Sequence, residues 1–261
     1  MGRTGETIRK IATIELLSAR RIEMFSDIRE FEVKLAVKEI YNKSNKLNGV
    51  VKMEMKEWFA NLIMNIMVKI LFGVQYIDND NKERSKAHKA IRRFVEKALK
   101  ETAKEIDCLG EEWLVEHKRK RKLRVNKSGD EEDFMDVMLS ICEDKDLPGG
   151  FDADTIIKAT CMSMLLASVD TTMVTLTWTL SSLLNNYQSL KKAQDELDTH
   201  VGKNRWVQES DIKNLVYLQA IVNESFRLYP AAPVLLPRES IEDCVVSGYD
   251  IPKGTRLLVN I

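Results

Sequence analysis

Proline is scarce over most of this chain. Of five prolines among 261 residues, only Pro148 precedes position 230. Proline lacks a backbone N–H and clashes with the preceding helical turn, so its scarcity leaves the first 229 residues free to form long helices. Its return at Pro230, Pro233, Pro237 and Pro252 excludes that reading for the last thirty or so residues. An excess of charge of one sign is lacking too: 40 Lys+Arg face 40 Asp+Glu. The electrostatic footprint of a nucleic-acid binder is therefore absent, and no nucleic-acid partner is expected. Four widely separated cysteines (Cys108, Cys142, Cys161, Cys244) form no C-x-x-C, and His88, His117 and His200 show no metal-ligand spacing. These absences argue against a zinc site or a disulfide framework and for reduced thiols. The opening MGRTGETIRK has no apolar core of a signal peptide, and no internal repeat is visible.

What is present is helical periodicity. Ile8, Ile11, Ile14 and Leu17 recur at helical spacing, which predicts a helix over 7–20. Further helices are predicted over 24–44 and from Met53 to Leu71, the latter apolar nearly all round and so buried, with Gly73 as its C-cap. Residues 82–124 read as one charged helical stretch ending in the basic run from His117 to Lys122, taken as a solvated helix end. A short helix over 132–145 precedes a break at Pro148-Gly149-Gly150. Asp152 is then the predicted N-cap of a long central helix at about 153–186. From Ala159 to Leu190 its only charged residue is Asp170. That run is long enough for a bilayer, but it carries many Ser and Thr and no flanking aromatic belt, so a helix in the middle of a soluble domain fits better. Helices over 188–200 and 215–228 follow. Short apolar runs at 234–236, 244–246 and 257–259, bounded by Pro and Gly, read as strands. The fold class is mainly α with a small β-sheet near the C-terminus. The chain reads as a single partial domain over 1–261, with 7–229 helical and 230–261 rich in β structure.

Three places can carry chemistry. Asp170 with Thr171 sets an acid beside an alcohol in the middle of the apolar helix, where a carboxylate is costly without a partner or a task. Such a pair can relay protons, or be a buried Asp satisfied by nearby hydroxyls. Glu224 and Arg227, at i and i+3, share a helix face among apolar neighbours, so an ion pair is available and burial is possible. Arg238 follows a predicted strand and could bind a carboxylate or simply be exposed.

The order of these features, an acid–Thr–Thr helix, an E-x-x-R helix, a Pro-Arg strand and a Gly-Tyr-x-Ile-Pro-Lys-Gly-Thr hairpin, resembles the cytochrome P450 family of haem-thiolate monooxygenases. The stretch VNESFRLYPAAPVLLPRESIEDCVVSGYDIPKGTRLLVNI is similar to plant microsomal members acting in specialised metabolism. The resemblance, from about Arg9 to Ile261, implies a partial cytochrome P450 fold with haem as the cofactor. It implies that Asp170 and Thr171 deliver protons to bound oxygen and that Ala167 is the small residue beside that oxygen. Glu224 and Arg227 would be a structural ion pair. Arg238 and Arg9 would contact the haem propionates, and Ala232, Pro233, Val234 and Leu235 would line the substrate pocket. The partners implied are an NADPH-dependent reductase and a small lipophilic substrate, at the cytosolic face of the endoplasmic reticulum membrane.

Departures from the family pattern shape the expectation. The Phe-x-x-Gly-x-Arg-x-Cys-x-Gly loop that bears the axial cysteine does not occur in these 261 residues, and none of the four cysteines has that context. No metal ligand is therefore assigned, and the chain by itself is expected to be inactive. Gly5 and Glu6 stand where Trp and Arg are expected, so the start reads as truncated, without the family's membrane-anchor helix. A loop is expected to be missing between Phe94-Val95 and Glu96-Lys97, leaving the pocket open or the helix over 82–124 repositioned. Ser168 stands where glycine lets the helix widen. The reading is thus a fragment of a haem monooxygenase, set against a non-catalytic helical protein that binds partners or apolar ligands and, as a third reading, an integral membrane protein.

Overall fold

The computed structural model describes residues 3–46, 49–73, 100–123, 132–142 and 152–260. The expectations for 74–99, which include the junction at Phe94-Val95 and Glu96-Lys97, for the loop 124–131 and for the break at Pro148-Gly149-Gly150 lie outside the described residues.

The first helical stretch is divided. Helix α1 (Arg3–Glu15) stops, and α2 (Ala19–Met24) restarts on Ser18, whose hydroxyl accepts from the Arg21 N–H. The apolar spacing runs on across this break, so periodicity alone predicts one helix. The split turns the stripe: Ala12 and Leu16 are buried, whereas Ile14 and Leu17 are exposed. Helix α3 (Ser26–Lys46) follows, then α4 (Met55–Phe72), which ends as predicted on Gly73 in the left-handed region at φ 59°.

Helix α4 is apolar on most sides because it has neighbours on most sides. It packs on α3, on α6 (Phe134–Cys142) and above all on α7 (Ala153–Asn185). Helix α5 (Lys100–Leu123) lies against α6 and α7. At their common centre Leu71, Phe72, Leu114, Phe134, Met135, Met138, Leu139, Ile157 and Leu165 are almost fully buried. The Phe72 and Trp113 rings meet at 4.1 Å, joining α4 to α5. Burying one such large apolar side chain stabilises by about 1.5–3 kcal/mol.

Helix α7 begins where the sequence places it. Asp152 accepts from both the Thr155 N–H (2.9 Å) and the Thr155 hydroxyl (2.6 Å). It is the one described helix long and apolar enough to cross a membrane, and it packs one side against α4, α5, α6, α8 (Tyr187–His200) and α9 (Val216–Leu228). A 3-10 helix at Glu209–Asn214, which sequence spacing does not announce, joins α8 to α9. Arg29 of α3 grips Glu209 with two donors, at 2.5 and 2.6 Å. Glu30 accepts from the Glu209 N–H, so α3 holds this segment from far away in the chain. Glu196 of α8 accepts from the Tyr217 and Leu218 N–H groups, which satisfies amides that a helix start leaves without partners.

Beyond Pro230 the chain is β-rich, as two separate ladders rather than one sheet. Strand β1 (Arg238–Glu239) pairs antiparallel with β4 (Arg256–Leu257), and β2 (Cys244–Val246) with β3 (Tyr249–Ile251). The β2–β3 turn is Ser247-Gly248, both at positive φ (51° and 85°), as a two-residue hairpin turn of the primed type requires. Of the runs predicted as strands, 244–246 matches. The runs at 234–236 and 257–259 contribute the Val234–Asn260 bridge, the Leu235 N–H bond to the Val259 carbonyl, and Leu257 in β4.

Candidate functional site

Helix α7 has two unlike faces. Ile157, Cys161, Leu165, Val169 and Met173, four residues apart, form a buried stripe against α4 and α6. The opposite stripe, Ala159, Ser163, Ala167, Asp170 and Thr171, is exposed. Asp170 is therefore not the buried carboxylate that an apolar helix suggests, because a helix apolar overall still presents one side away from its neighbours. Charge is absent along the rest of that face, so Asp170 supplies its single anionic point. The Thr171 hydroxyl donates to the Ala167 carbonyl at 2.9 Å, which commits its proton to the helix and leaves its lone pairs outward as acceptors. Thr175 and Thr179 repeat the pattern, donating to the carbonyls of Thr171 and Thr175. Ser168 donates to the Leu165 carbonyl.

Helix α9 joins this scaffold through the Tyr229 ring, which stacks on Trp178 of α7 at 4.4 Å and 6°. Its Glu224–Arg227 pair forms as the spacing predicts: Nε and Nη2 of Arg227 donate to the two carboxylate oxygens at 2.7 and 2.6 Å. These donations hold the Glu224 carboxyl below its ordinary value. The pair is exposed, 67% for Arg227 and 53% for Glu224, rather than buried among the apolar residues of its helix. The buried position of α9 is Ser225, whose neighbours Glu224 and Phe226 face out. An exposed pair of this kind contributes little to stability.

The remaining sequence-derived candidates are also exposed. Arg238 lies on β1, paired with Leu257. Ala232, Pro233, Val234 and Leu235 form an uncovered segment tied to the chain end by the Val234–Asn260 bridge. Arg9 is exposed on α1. The structure thus brings α7 and α9 into contact, and places Arg238 and Arg9 on two further elements.

One cluster escapes sequence reading. Among the described residues, donor atoms of His117, Asp133 and Asp136 lie within 4.8 Å of one another. The His117 ring is 3% exposed, with Nδ1 2.6 Å from the Trp113 carbonyl and Nε2 2.9 Å from Asp133 Oδ2. Both ring nitrogens are already engaged, so the group reads as an ion pair rather than a metal centre. The basic run after His117 hides it in the sequence, because surrounding cations suggest a solvated helix end.

Comparison with known proteins adds the family. The family model described as Cytochrome P450 matches residues 94–261. Strychnine-10-hydroxylase of Strychnos nux-vomica is 45% identical over 287 residues, covering 97% of this chain and 54% of the relative. Cytochrome P450 CYP82D47 of Panax ginseng is 43% identical, covering 97% of this chain and 78% of the relative. Nicotine N-demethylase CYP82E4 of Nicotiana tabacum is 40% identical. The chain spans about half the length of most of these relatives. A zebra fish cytochrome P450 solved with progesterone superposes with a TM-score of 0.82 at 24% identity, over 100% of this chain and 62% of that one. The family match covers more than half the chain and agrees with the helical order built above; the chain belongs to the cytochrome P450 family.

Proposed function

We propose that this chain carries the oxygen-side helix and a propionate-binding arginine of a haem-dependent monooxygenase acting on a small lipophilic metabolite. The observation that carries the reading is the exposed Ala167–Asp170–Thr171 stripe on α7, whose other face packs against α4 and α6. Relatives at 40–45% identity are named as hydroxylases of strychnine and xanthotoxin and demethylases of nicotine. The reaction class is insertion of one atom of O2 into a C–H bond. Two electrons and two protons reduce the other atom to water, and a reductase using NADPH supplies the electrons at the cytosolic face of the endoplasmic reticulum. The chain would act as one domain with segments beyond these 261 residues.

Haem supplies oxygen activation in the family, and the residues present fit it in part. Arg238 offers an exposed cation for a propionate, and Ala167 a small side chain on an open face. The cysteines do not fit an axial thiolate. Cys142 and Cys161 are buried in the core, burial pushes the Cys161 thiol well above its ordinary value, and Cys108 and Cys244 are exposed on α5 and β2. No step through the iron is derived. The chain's own residues position protons: the Asp170 carboxyl, protonated from solvent, would pass that proton to a water that Thr171 Oγ1 holds by accepting its hydrogen bond, and would be reprotonated from solvent. The Glu224–Arg227 pair would become a structural anchor once covered. By itself the chain is inactive.

The test is a chain completed with a segment bearing the family's Phe-x-x-Gly-x-Arg-x-Cys-x-Gly loop. Asp170→Asn should lower kcat by roughly 10²–10⁴-fold with KM little changed. Undiminished turnover in that variant would overturn the proton assignment.

A further inference from the structure

The His117–Asp133 pair has a geometry that holds a proton between ring and carboxylate. A backbone carbonyl only accepts, so Nδ1, 2.6 Å from the Trp113 carbonyl, must carry a hydrogen. With Asp133 as a carboxylate, which also only accepts, Nε2, 2.9 Å from Oδ2, carries the other; with the proton on Oδ2 the same contact is an O–H donated to Nε2. A ring with both hydrogens is an imidazolium. A neutral ring would turn a nitrogen lone pair toward a carboxylate oxygen at the same distance.

Asp133 cannot swing away to relieve that repulsion. Its Oδ1 accepts from the Asp136 N–H at 2.9 Å, capping α6. Its Oδ2 lies against the end of α4, where a Cβ built on Gly73 would stand 2.5 Å away. The ring is equally confined, since α5 carries it into the core beside Leu114. Two elements that follow one another in the chain, α5 and α6, are thus joined at one charged point beneath α7.

We propose that His117 and Asp133 form a proton-dependent latch, closed while the ring is an imidazolium and released, with opening of the α5 end from the α6 start, when the ring loses its proton.

The groups around the ring agree on its charge. From the α6 start come the carboxyl groups of Asp133 and Asp136. On α5 itself Glu116 lies next in sequence, engaged by Arg119 at 2.9 Å and Lys120 at 3.8 Å, with Lys118 directed to Asp154 and Arg121 one turn on. From α7 comes Cys161, whose thiol burial and the Asp133 charge push above its ordinary value, and from α6 the buried Cys142. From α4 comes Gly73, without charge. Burial pushes the ring's pKa down, but the Asp133 hydrogen bond and charge, the Trp113 carbonyl and Asp136 outweigh it and raise the pKa above the ordinary value. A raised histidine pKa stabilises the fold fully below the unfolded value of about 6.5. That contribution is lost as pH rises through the folded value.

The test uses the whole 261-residue chain. Its unfolding midpoint should fall as pH rises above the ordinary histidine range, by roughly 3–5 °C for each unit of raised pKa. In His117→Gln that fall should vanish. The proton titration of the His117 ring, read by NMR, should have its midpoint above that of a free imidazole and drop below it in Asp133→Asn. Amide exchange at the α5 end and α6 start, corrected for its intrinsic rate, should quicken over the same pH range in the unaltered chain. Should His117→Gln fail to fold, the ring titration and the exchange profile decide alone. A ring midpoint at or below the ordinary value, a pH-dependent fall kept in His117→Gln, or exchange that ignores pH would each overturn the latch.

Discussion

At the scale of single residues, position on a helix decides more than the character of the helix. Asp170 and the Glu224–Arg227 pair sit in apolar surroundings in the sequence and face outward in the structure. Four residues along a helix return a side chain nearly to the same face, so one helix can bury Leu165 and Val169 and still expose Ala167 and Asp170. Leu165, fully buried in that stripe, should cost about 2–5 kcal/mol when changed to alanine, measured by denaturant unfolding. Gly73 should be as sensitive for a different reason. At φ 59° any side chain is strained, by about 1–2 kcal/mol, and a methyl group would press on Asp133 Oδ2. Gly73→Ala should therefore lower stability beyond that strain and weaken the pH dependence carried by His117. If it proves neutral, the close approach of α4 to Asp133 is wrong. Asp133 itself illustrates what a sequence hides. Its partner His117 lies sixteen positions earlier, and no local spacing links them.

At the scale of elements, caps and long periodic runs were legible and junctions were not. Asp152 and Gly73 mark the ends of α7 and α4 because their chemistry is local. The break at Leu16–Ser18 is hidden because apolar residues recur at helical spacing on both sides of it. The Glu209–Asn214 turn is hidden because what fixes it, Arg29 and Glu30, comes from α3. The Asp152 cap is worth testing alone: Asp152→Ala should lower the unfolding midpoint by roughly 2–4 °C, and Asp152→Asn should recover most of that. The Glu196 cap of α9 adds a pH effect of opposite sign to that of His117. Burial raises its pKa, but the Tyr217 and Leu218 N–H groups lower it further than that, with a net fall below the ordinary value. Its contribution is present above the ordinary carboxylate range and lost as pH drops through the lowered value. Glu196→Gln should flatten the acid limb of stability between the two.

At the scale of the molecule, burial is uneven. The helices α4 to α7 enclose a continuous core, while from Val216 onward large apolar side chains lie open, among them Phe226 at 52%, Leu236 at 87%, Leu257 at 56% and Leu258 at 62%. So many exposed large apolar side chains invite association. The chain on its own should bind an apolar fluorescent dye and self-associate at micromolar concentration, and scattering that stays monomeric would count against it. The fold class and the family were legible because the acid–Thr helix, the E-x-x-R helix and the Pro-Arg strand keep their order in the sequence. The candidate site was legible as residue types, not as a surface, because the distance from α7 to β1 depends on how α9 docks, through Trp178 and Tyr229.

The most direct measurement is the reduced carbon-monoxide spectrum of haem added to this chain, alone and completed with an axial-cysteine segment. The account expects no thiolate-type Soret band from the chain alone, and that band in the completed chain, weakened by Arg238→Leu. A thiolate band from the chain alone, or a completed chain whose band ignores Arg238, would contradict it.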